Sequence, residues 1–307
     1  MEIRIRRGTL EDVKGITETH CSGVEEWYHY SDGKRTAKST YGELSILERY
    51  LHGGPWMSVE SCAAHINSLL LDGNTAIVAE AGGKIVGEAE LFISEEPVDG
   101  EPRRIAHLDV IEVHKDFRRR GIGKALIGFS EEIAREKKCD MLTVTPDERA
   151  VGFYEKLGIK KIIHRGVMVD FSLEEFPSGK AEIRRGEFSW SRIQKEEMIL
   201  GKFQSSYDHW FTAFRDRIAG VDDRLYFESG RFNETHYVLE GSFFGGDVAT
   251  AYAWGGDAAG ALLIIGSRAG ELGFRRLRTI IGEEEIDSIK SLNPSITGRS
   301  VILAKML

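Results

Sequence analysis

Residues 105–133 leave the chain few choices of fold. Ile105-Ala106-His107-Leu108-Asp109-Val110-Ile111-Glu112-Val113 is an extended apolar run, and Phe117-Arg118-Arg119-Arg120-Gly121-Ile122-Gly123-Lys124 is a basic turn. Ile122, Ala125, Leu126, Phe129 and Ile133 then recur at helical spacing. The order is strand, glycine turn, helix. A helix N-terminus presents unpaired N–H groups and the positive end of the helix dipole. Glycine lets a bulky anion approach the backbone. The ligand that suits such a turn is a phosphate or pyrophosphate, whereas the bland reading is a solvated charge run ahead of a helix. Two well-known nucleotide patterns are absent. The residue three after Gly123 is Leu126, so there is no Gly-x-Gly-x-x-Gly, and Lys124 is followed by Ala125, so there is no P-loop.

Two motifs in order resemble those of the GNAT N-acetyltransferases. Arg118-x-x-Gly121-x-Gly123 is similar to the family's acyl-coenzyme A pyrophosphate loop, and Ala150-Val151-Gly152-Phe153-Tyr154-Glu155-Lys156-Leu157-Gly158-Ile159 resembles its Ala-x-x-Phe-Tyr-x-x-x-Gly-Phe helix end. The resemblance covers residues 1 to about 172. It implies an α+β GNAT fold, a mixed and mostly antiparallel sheet flanked by helices. It implies acetyl-CoA as cosubstrate and no metal. Arg118, Arg119, Arg120, Gly121, Ile122, Gly123 and Lys124 would hold the pyrophosphate, and the backbone of Ile111, Glu112 and Val113 the pantetheine arm. A backbone N–H on that strand would steady the thioester oxygen as it becomes an oxyanion. The implied reaction is direct attack of a neutral primary amine on the thioester, which needs a base to take the amine's proton.

Tyr154 matches the family tyrosine that often protonates the leaving thiolate. His107 lies near where several members carry a glutamate base; Asp109 and Glu112 are the other candidates. No serine or cysteine sits in a nucleophile elbow, which disfavours an acyl-enzyme. After the strand Cys139–Thr145, where many members have an asparagine that touches pantetheine, this chain has Thr145-Pro146-Asp147-Glu148. A catalytically silent acyl-CoA sensor, with the C-terminal half as its output, is the rival reading.

At 307 residues the chain has room for two ordinary domains, and 41% hydrophobic with 29% charged residues is a globular composition. A net charge of −8 argues against nucleic acid and anionic membrane as partners. No apolar run is long enough to cross a bilayer, and no signal-peptide pattern opens the chain. Cys21, Cys62 and Cys139 are scattered, without metal-ligand spacing, so a reducing cytoplasm is expected. The amine acceptor is open between small molecule and protein, and a homodimer is compatible.

Ile3–Arg6 reads as a strand, and Thr9 with Asp12 as a capping pair for the helix that follows. Trp27, Tyr28, Tyr30, Tyr41, Tyr50, His52 and Trp56 suggest an amine pocket with Glu25 and Glu26 as partners of the cation, or else a satellite core. Thr75–Ala81 and Lys84–Ile93 read as a hairpin over Gly82-Gly83, and residues 95–104 as a polar loop. Period-two alternation puts His107, Asp109, Ile111 and Val113 on one face and Leu108, Val110 and Glu112 on the other. Residues 159–163 and 167–171 read as two strands. The expected division is a GNAT domain at 1–175 and a second α+β domain at 180–307. In that second part Ala181–Gly186 echoes Arg4–Gly8, Tyr237–Glu240 and Val248–Trp254 flank Gly245-Gly246, and Ala261–Ile265 and Ser300–Lys305 read as strands. This resembles a worn second GNAT repeat; an unrelated α+β domain is the alternative. It has no second pyrophosphate loop, so no coenzyme A is expected there. Tyr207, His209, Trp210 and Phe211 are expected to pack on the first domain or cap its acceptor site.

Overall fold

A computed structural model of the chain describes residues 2–31, 34–174, 176–218, 221, 226–242 and 245–307. In chain order its elements are β1 (Ile3–Arg7), α1 (Val13–Cys21), β2 (Trp27–Ser31), β3 (Lys34–Ser39), α2 (Ile46–Tyr50), α3 (Val59–Leu71), β4 (Thr75–Ala81), β5 (Lys84–Val98), β6 (Glu101–Val113), α4 (Ile122–Glu136), β7 (Met141–Val144), α5 (Val151–Lys156) and β8 (Lys161–Ser172). There follow β9 (Arg184–Arg185), α6 (Trp190–Ile193), β10 (Met198–Leu200), α7 (Ser206–Phe214), β11 (Tyr226–Phe232), β12 (Thr235–Ser242), β13 (Gly245–Trp254), α8 (Ala258–Glu271), β14 (Arg276–Gly282) and β15 (Ser295–Met306). One sheet runs β1-β4-β5-β6-β7-β15-β8-β14-β13-β12-β11-β9, with β10 on β13, while β2 and β3 form a separate hairpin.

The sheet is mixed and mostly antiparallel. Two pairs are parallel, β6 with β7 and β13 with β14, and a helix bridges each, α4 or α8. A parallel neighbour needs such a crossover. The C-terminal half thus repeats the strand order of the first, with β9 as a short edge counterpart of β1.

The last strands are exchanged. β15 lies between β7 and β8, pairing Leu303 with Val144 on one side and Ser300 with Gly166 on the other. β8 in turn separates β15 from β14. Gly166 marks the crowding here: a Cβ on it would stand 2.5 Å from Ser300 Oγ and 2.7 Å from Ile280. The sequence boundaries 1–175 and 180–307 therefore divide the chain without dividing the sheet.

Helices cover both faces. On one, α4 and α5 bury Leu126, Ile127, Ile133 and Tyr154 against Leu91, Leu108 and Val144. On the other, α1, α3 and α7 enclose Ile16, Ile66, Phe92, Phe211 and Trp254. Phe211 of α7 meets Phe92 of β5 edge-on at 5.2 Å. The two halves thus share a core, and each such aromatic contributes about 1.5–3 kcal/mol by burial. The Tyr207–Phe211 cluster packs on the first half, as the sequence suggests.

Several local expectations need correction. Residues 95–104 are not a loop. β5 and β6 run on to a two-residue turn at Asp99 (φ 55°) and Gly100 (φ 75°), and Pro97 pairs with Pro102. Asp-Gly is the favoured pair for such a turn. Residues 161–163 and 167–171 belong to the single strand β8, and 159 and 160 precede it. Ala261–Ile265 lies inside α8, where Asp257 accepts the Gly260 N–H at 2.7 Å and Ala258, Ala261, Leu262, Ile265 and Ala269 share the buried face. A cap and a 3.6-residue period outweigh the short apolar run.

The expected alternation of β6 also fails. Ala89 pairs with Ile111 and Leu91 with Leu108, so Asp109 and Val110 together oppose Glu90. This bulge adds one residue and resets the pleat. Leu108, Ile111 and Val113 consequently share the α4 core, while Asp109 comes close to Asp208 of α7 on the opposite side.

A fragment ending at residue 175 lacks β15 and leaves β7 and β8 without their common neighbour. It is expected to lose the cooperative thermal transition of the full chain, as circular dichroism would show. A fragment melting like the intact protein would contradict the shared sheet.

Candidate active site

β6 and β7 pair from Ile105 with Met141 to Leu108 with Val144, and no further. Beyond Leu108 they part, and a cleft of about 850 Å³ opens between them. Asp109 to Val113 form one wall; Thr145, Asp147, Ala150, Phe153 and Tyr154 lie across; Arg118, Arg119 and Gly121 to Lys124 close the far end. Phe203 and Gln204 from the C-terminal half complete it, fixed by the Thr145 hydroxyl donating to the Phe203 carbonyl at 2.6 Å.

The loop at the far end is built for an anion. Gly121 caps α4 at φ 82°, and no side chain caps the first turn. Arg119 holds φ 62°, an uncommon conformation for a residue with a Cβ. Arg118 braces the turn, donating from Nε to the Val113 carbonyl (3.0 Å) and from Nη2 to Glu112 (2.8 Å). Arg120 donates to the Asp116 carbonyl at 3.0 Å and lies over the Phe117 ring. Arg119 and Lys124 have no ion pair among the described residues. Open amides and uncommitted cations together suit a diphosphate.

Of the sequence candidates, Ile111, Glu112 and Val113 line the cleft. The Glu112 carboxylate is turned to Arg118 and to the Val113 N–H (3.1 Å), at the loop end. Tyr154 lies in the opposite wall. Burial, reinforced by Asp147, pushes its phenol up to about 12. His107 is buried beneath the cleft floor rather than in its wall. Its Nδ1 meets Thr143 Oγ1 at 2.9 Å, and burial pushes the imidazole down to about 3.

Asp109 was among the sequence candidates, and the structure adds groups around it that sequence reasoning missed. Asp109 stands half-buried at the apex where the strands part. Burial and the charge of Glu90 push it up to about 6, while a hydrogen bond with Asp208 works the other way. Asp208, on α7, is raised well above the usual carboxylate range by burial and by Asp109. Behind the bulge, Glu90 Oε1 accepts from Trp56 Nε1 (2.7 Å) and Glu90 Oε2 lies 2.8 Å from His65 Nε2. His65 Nδ1 reaches Asp216 Oδ2 at 2.7 Å. Burial opposes charge on His65, but the two carboxylates outweigh it and raise the imidazole well above its usual range. Trp56 also stacks on His20, which burial pushes down to about 4 and which meets Glu88 at 3.1 Å. His107, Asp109 and Asp208 place one ligand-type atom each within 4.8 Å of one another, the grouping among the described residues that would suit a metal ion.

The amine pocket expected from residues 21–73 is mostly a satellite core. Trp27 packs edge-on against His52 (4.6 Å) and Tyr41 (5.3 Å), and Tyr30 against His52. Glu25 and Glu26 are exposed, and Glu26 is committed to Tyr28 and Lys38. Trp56 of that cluster bonds to a carboxylate behind the bulge.

The C-terminal half has the corresponding parting of strands, and β10 bridges it. β13 and β14 pair only from Val248 with Arg276 to Thr250 with Arg278. Met198 and Leu200 of β10 bond along β13, and the Gly201 N–H reaches the Ile280 carbonyl of β14 at 2.7 Å. The turn into α8 is Gly255-Gly256-Asp257, where the Asp257 carboxylate occupies the helix N-terminus.

Gly121→Glu sets a carboxylate at the anion site. The residue is exposed and an added Cβ meets no atom, so the fold should survive at a cost of about 1–2 kcal/mol for the positive φ. Calorimetry is expected to show acetyl-CoA binding lost; unchanged affinity would refute the loop assignment.

Residues 43–159 match the model of the Acetyltransferase (GNAT) family. Over 78 residues the chain is 38% identical to glucosamine 6-phosphate N-acetyltransferase of Trypanosoma brucei brucei, covering 25% of this chain and 52% of that protein. It is 27% identical over 125 residues to the Candida albicans protein of the same name, covering 40% and 74%. The match thus spans about half the length of the first relative. A GCN5-related N-acetyltransferase from Kribbella flavida superposes with a TM-score of 0.65 at 13% identity, over 99% of this chain and 72% of that one. A putative acetyltransferase from Pyrococcus horikoshii gives 0.56 at 16% identity, over 99% and 89%. These likenesses show the fold and take in the C-terminal half. Residues 43–159 therefore form a domain of the Acetyltransferase (GNAT) family.

Proposed function

We propose that the protein is an N-acetyltransferase that passes the acetyl group of acetyl-CoA to a primary amine by direct attack on the thioester. The observation that carries this is the cleft itself, with an anion site at one end and an ionisable carboxylate, Asp109, at its apex. A diphosphate on the α4 turn lays the pantetheine arm along Ile111 to Val113 and sets the thioester beside the bulge. The coenzyme sits in this cleft and not in the second, where β10 bridges the strands and Asp257 caps the helix.

Asp109 is the base in this reading. Near neutrality it is mostly ionised, yet basic enough to take a proton from an ammonium as the amine attacks. His107 is too weakly basic where it is buried, and Glu112 serves the loop through Arg118. Tyr154 keeps its proton at neutral pH and donates a hydrogen bond to the departing sulfur. The relatives are named for acetylation of an amino sugar, and the chemistry carried over is transfer to an amine.

Asp109→Asn is expected to lower kcat/KM by about 10²–10⁴-fold, the usual yield of a general base. In the wild type kcat/KM should fall as pH drops through about 6, where Asp109 takes up its proton. The hydrogen bond from Asp208 favours the ionised form of Asp109. Asp208→Ala should therefore move that limb to higher pH, and Asp208→Asn, which keeps a donor, should restore it. A coenzyme A release assay across pH reads all three; a limb unmoved in every variant would remove Asp109 from the role. Tyr154→Phe should lower kcat more than it changes KM.

A further inference from the structure

The face of the sheet opposite α4 holds more carboxyl groups than the reaction needs. Glu88 and Glu90 come from β5, Asp109 from β6, Asp208 from α7, Asp216 from the segment after it, and Glu240 from β12. These are joined into one neighbourhood. Asp109 lies by Asp208, Glu90 and Asp216 share His65, and Tyr50 is within electrostatic reach of both Asp216 and Glu240. Tyr252 of β13 hydrogen-bonds Glu240 and feels Asp208. The imidazoles here are His65, His20, His107 and His209, the last packed on Tyr252 at 5.0 Å; His65 is held in its charged form, while burial pushes the other three down. No lysine or arginine pairs with any of the six carboxylates among the described residues.

Buried carboxylates of one sign are costly unless a cation or protons neutralise them. Asp216 Oδ1, in a residue 9% exposed, finds no protein donor among the described residues. There is also room. Glu240 and Tyr252 line a cavity of about 340 Å³ that shares Phe203 and Gln204 with the coenzyme cleft. Arg278 borders that cavity but is committed to Asp170 through two hydrogen bonds. Lys202 lies within electrostatic reach of His209 in the same wall, and among the described residues the six carboxylates outnumber these two cations, which disfavours a phosphate.

We infer that the acceptor site lies here, built by both halves of the chain, and that it takes a small unphosphorylated amine with a second ammonium group, a diamine or longer polyamine. One nitrogen meets Asp109 for acetylation while the other is held among Asp216, Glu240 and the rings of Tyr50 and Tyr252. This rests on the proposed acetyl transfer and narrows its acceptor. Half of the carboxylates, Asp208, Asp216 and Glu240, belong to the C-terminal half, which gives that half a part in substrate choice.

The test uses the full-length protein with acetyl-CoA and three amines: 1,4-diaminobutane, n-butylamine and glucosamine 6-phosphate. The diamine should exceed butylamine in kcat/KM by at least about tenfold, the yield of one charge-assisted hydrogen bond. Asp216→Asn and Glu240→Gln, each checked for a native melting transition, should shrink that preference mainly through KM. Glucosamine 6-phosphate turned over as well as the diamine, or a preference untouched in both variants, would overturn the inference. If no amine is turned over, the proposed activity fails, and calorimetry of the diamine on the coenzyme-bound protein still decides the acceptor site. Because a cation displaces protons from carboxylates, binding should release protons, seen as a heat that differs between buffers of unlike ionisation enthalpy; no binding overturns the inference.

Discussion

One extra residue organises the cleft. Where Asp109 and Val110 together face Glu90, β6 gains a residue over β5 and turns away from β7. The bulge does two things at once. It ends the ladder with β7 just before the cofactor wall begins, leaving the backbone of Ile111 to Val113 free for a ligand. It also turns Asp109 toward α7, out of the apolar core that Leu108 and Ile111 share. A regular strand would have kept its pairing and closed the slot, and the anion-binding turn beyond it would then lead nowhere.

The environment of Asp109 depends on the C-terminal half. Asp208 on α7 lies beside it, and Asp216 beyond α7 holds His65, which in turn holds Glu90 behind the bulge. The two halves meet through a fully apolar core as well, with Phe92 against Phe211 and Trp254 wholly buried. The two halves share a strand order but are unequal. One parting of strands is open and basic at its end; in the other a short strand bonds to both lips, and an aspartate caps the helix where a phosphate would sit. Geometry common to both halves thus serves as a binding slot in one and as a seat for the chain's own backbone in the other.

Much of this was legible in local sequence. The strand, basic turn and helix of residues 105–133, the Thr9–Asp12 cap and the glycine ending α5 stand where spacing and residue type put them. The misses share a physical cause. A bulge leaves no mark on hydrophobic period beyond a lost alternation, and Asp109-Val110 looked like two ordinary strand residues. Glu88 and Glu90 inside the apolar run of β5 were the available hint of a buried polar network, since carboxylates are rarely enclosed without partners. Their partners, His65, Asp208 and Asp216, come from segments far apart in the chain, which no window can join. The helical reading of Ala261–Ile265 was open to anyone who weighed Asp257 as a cap. The exchange of β8 and β15 is decided by packing between halves and has no local sign.

That exchange sets a schedule for synthesis. Until residues 295–306 have left the ribosome, β7 and β8 each carry an open edge, the kind of surface that invites adhesion to other chains. The nascent N-terminal half can collapse around α4, but the cleft between β6 and β7 keeps one unsupported bank until β15 pairs with β7. Competence therefore arrives late and at a stroke, and a ribosome that stalls before the closing strand yields a sticky intermediate in place of a weakly working enzyme.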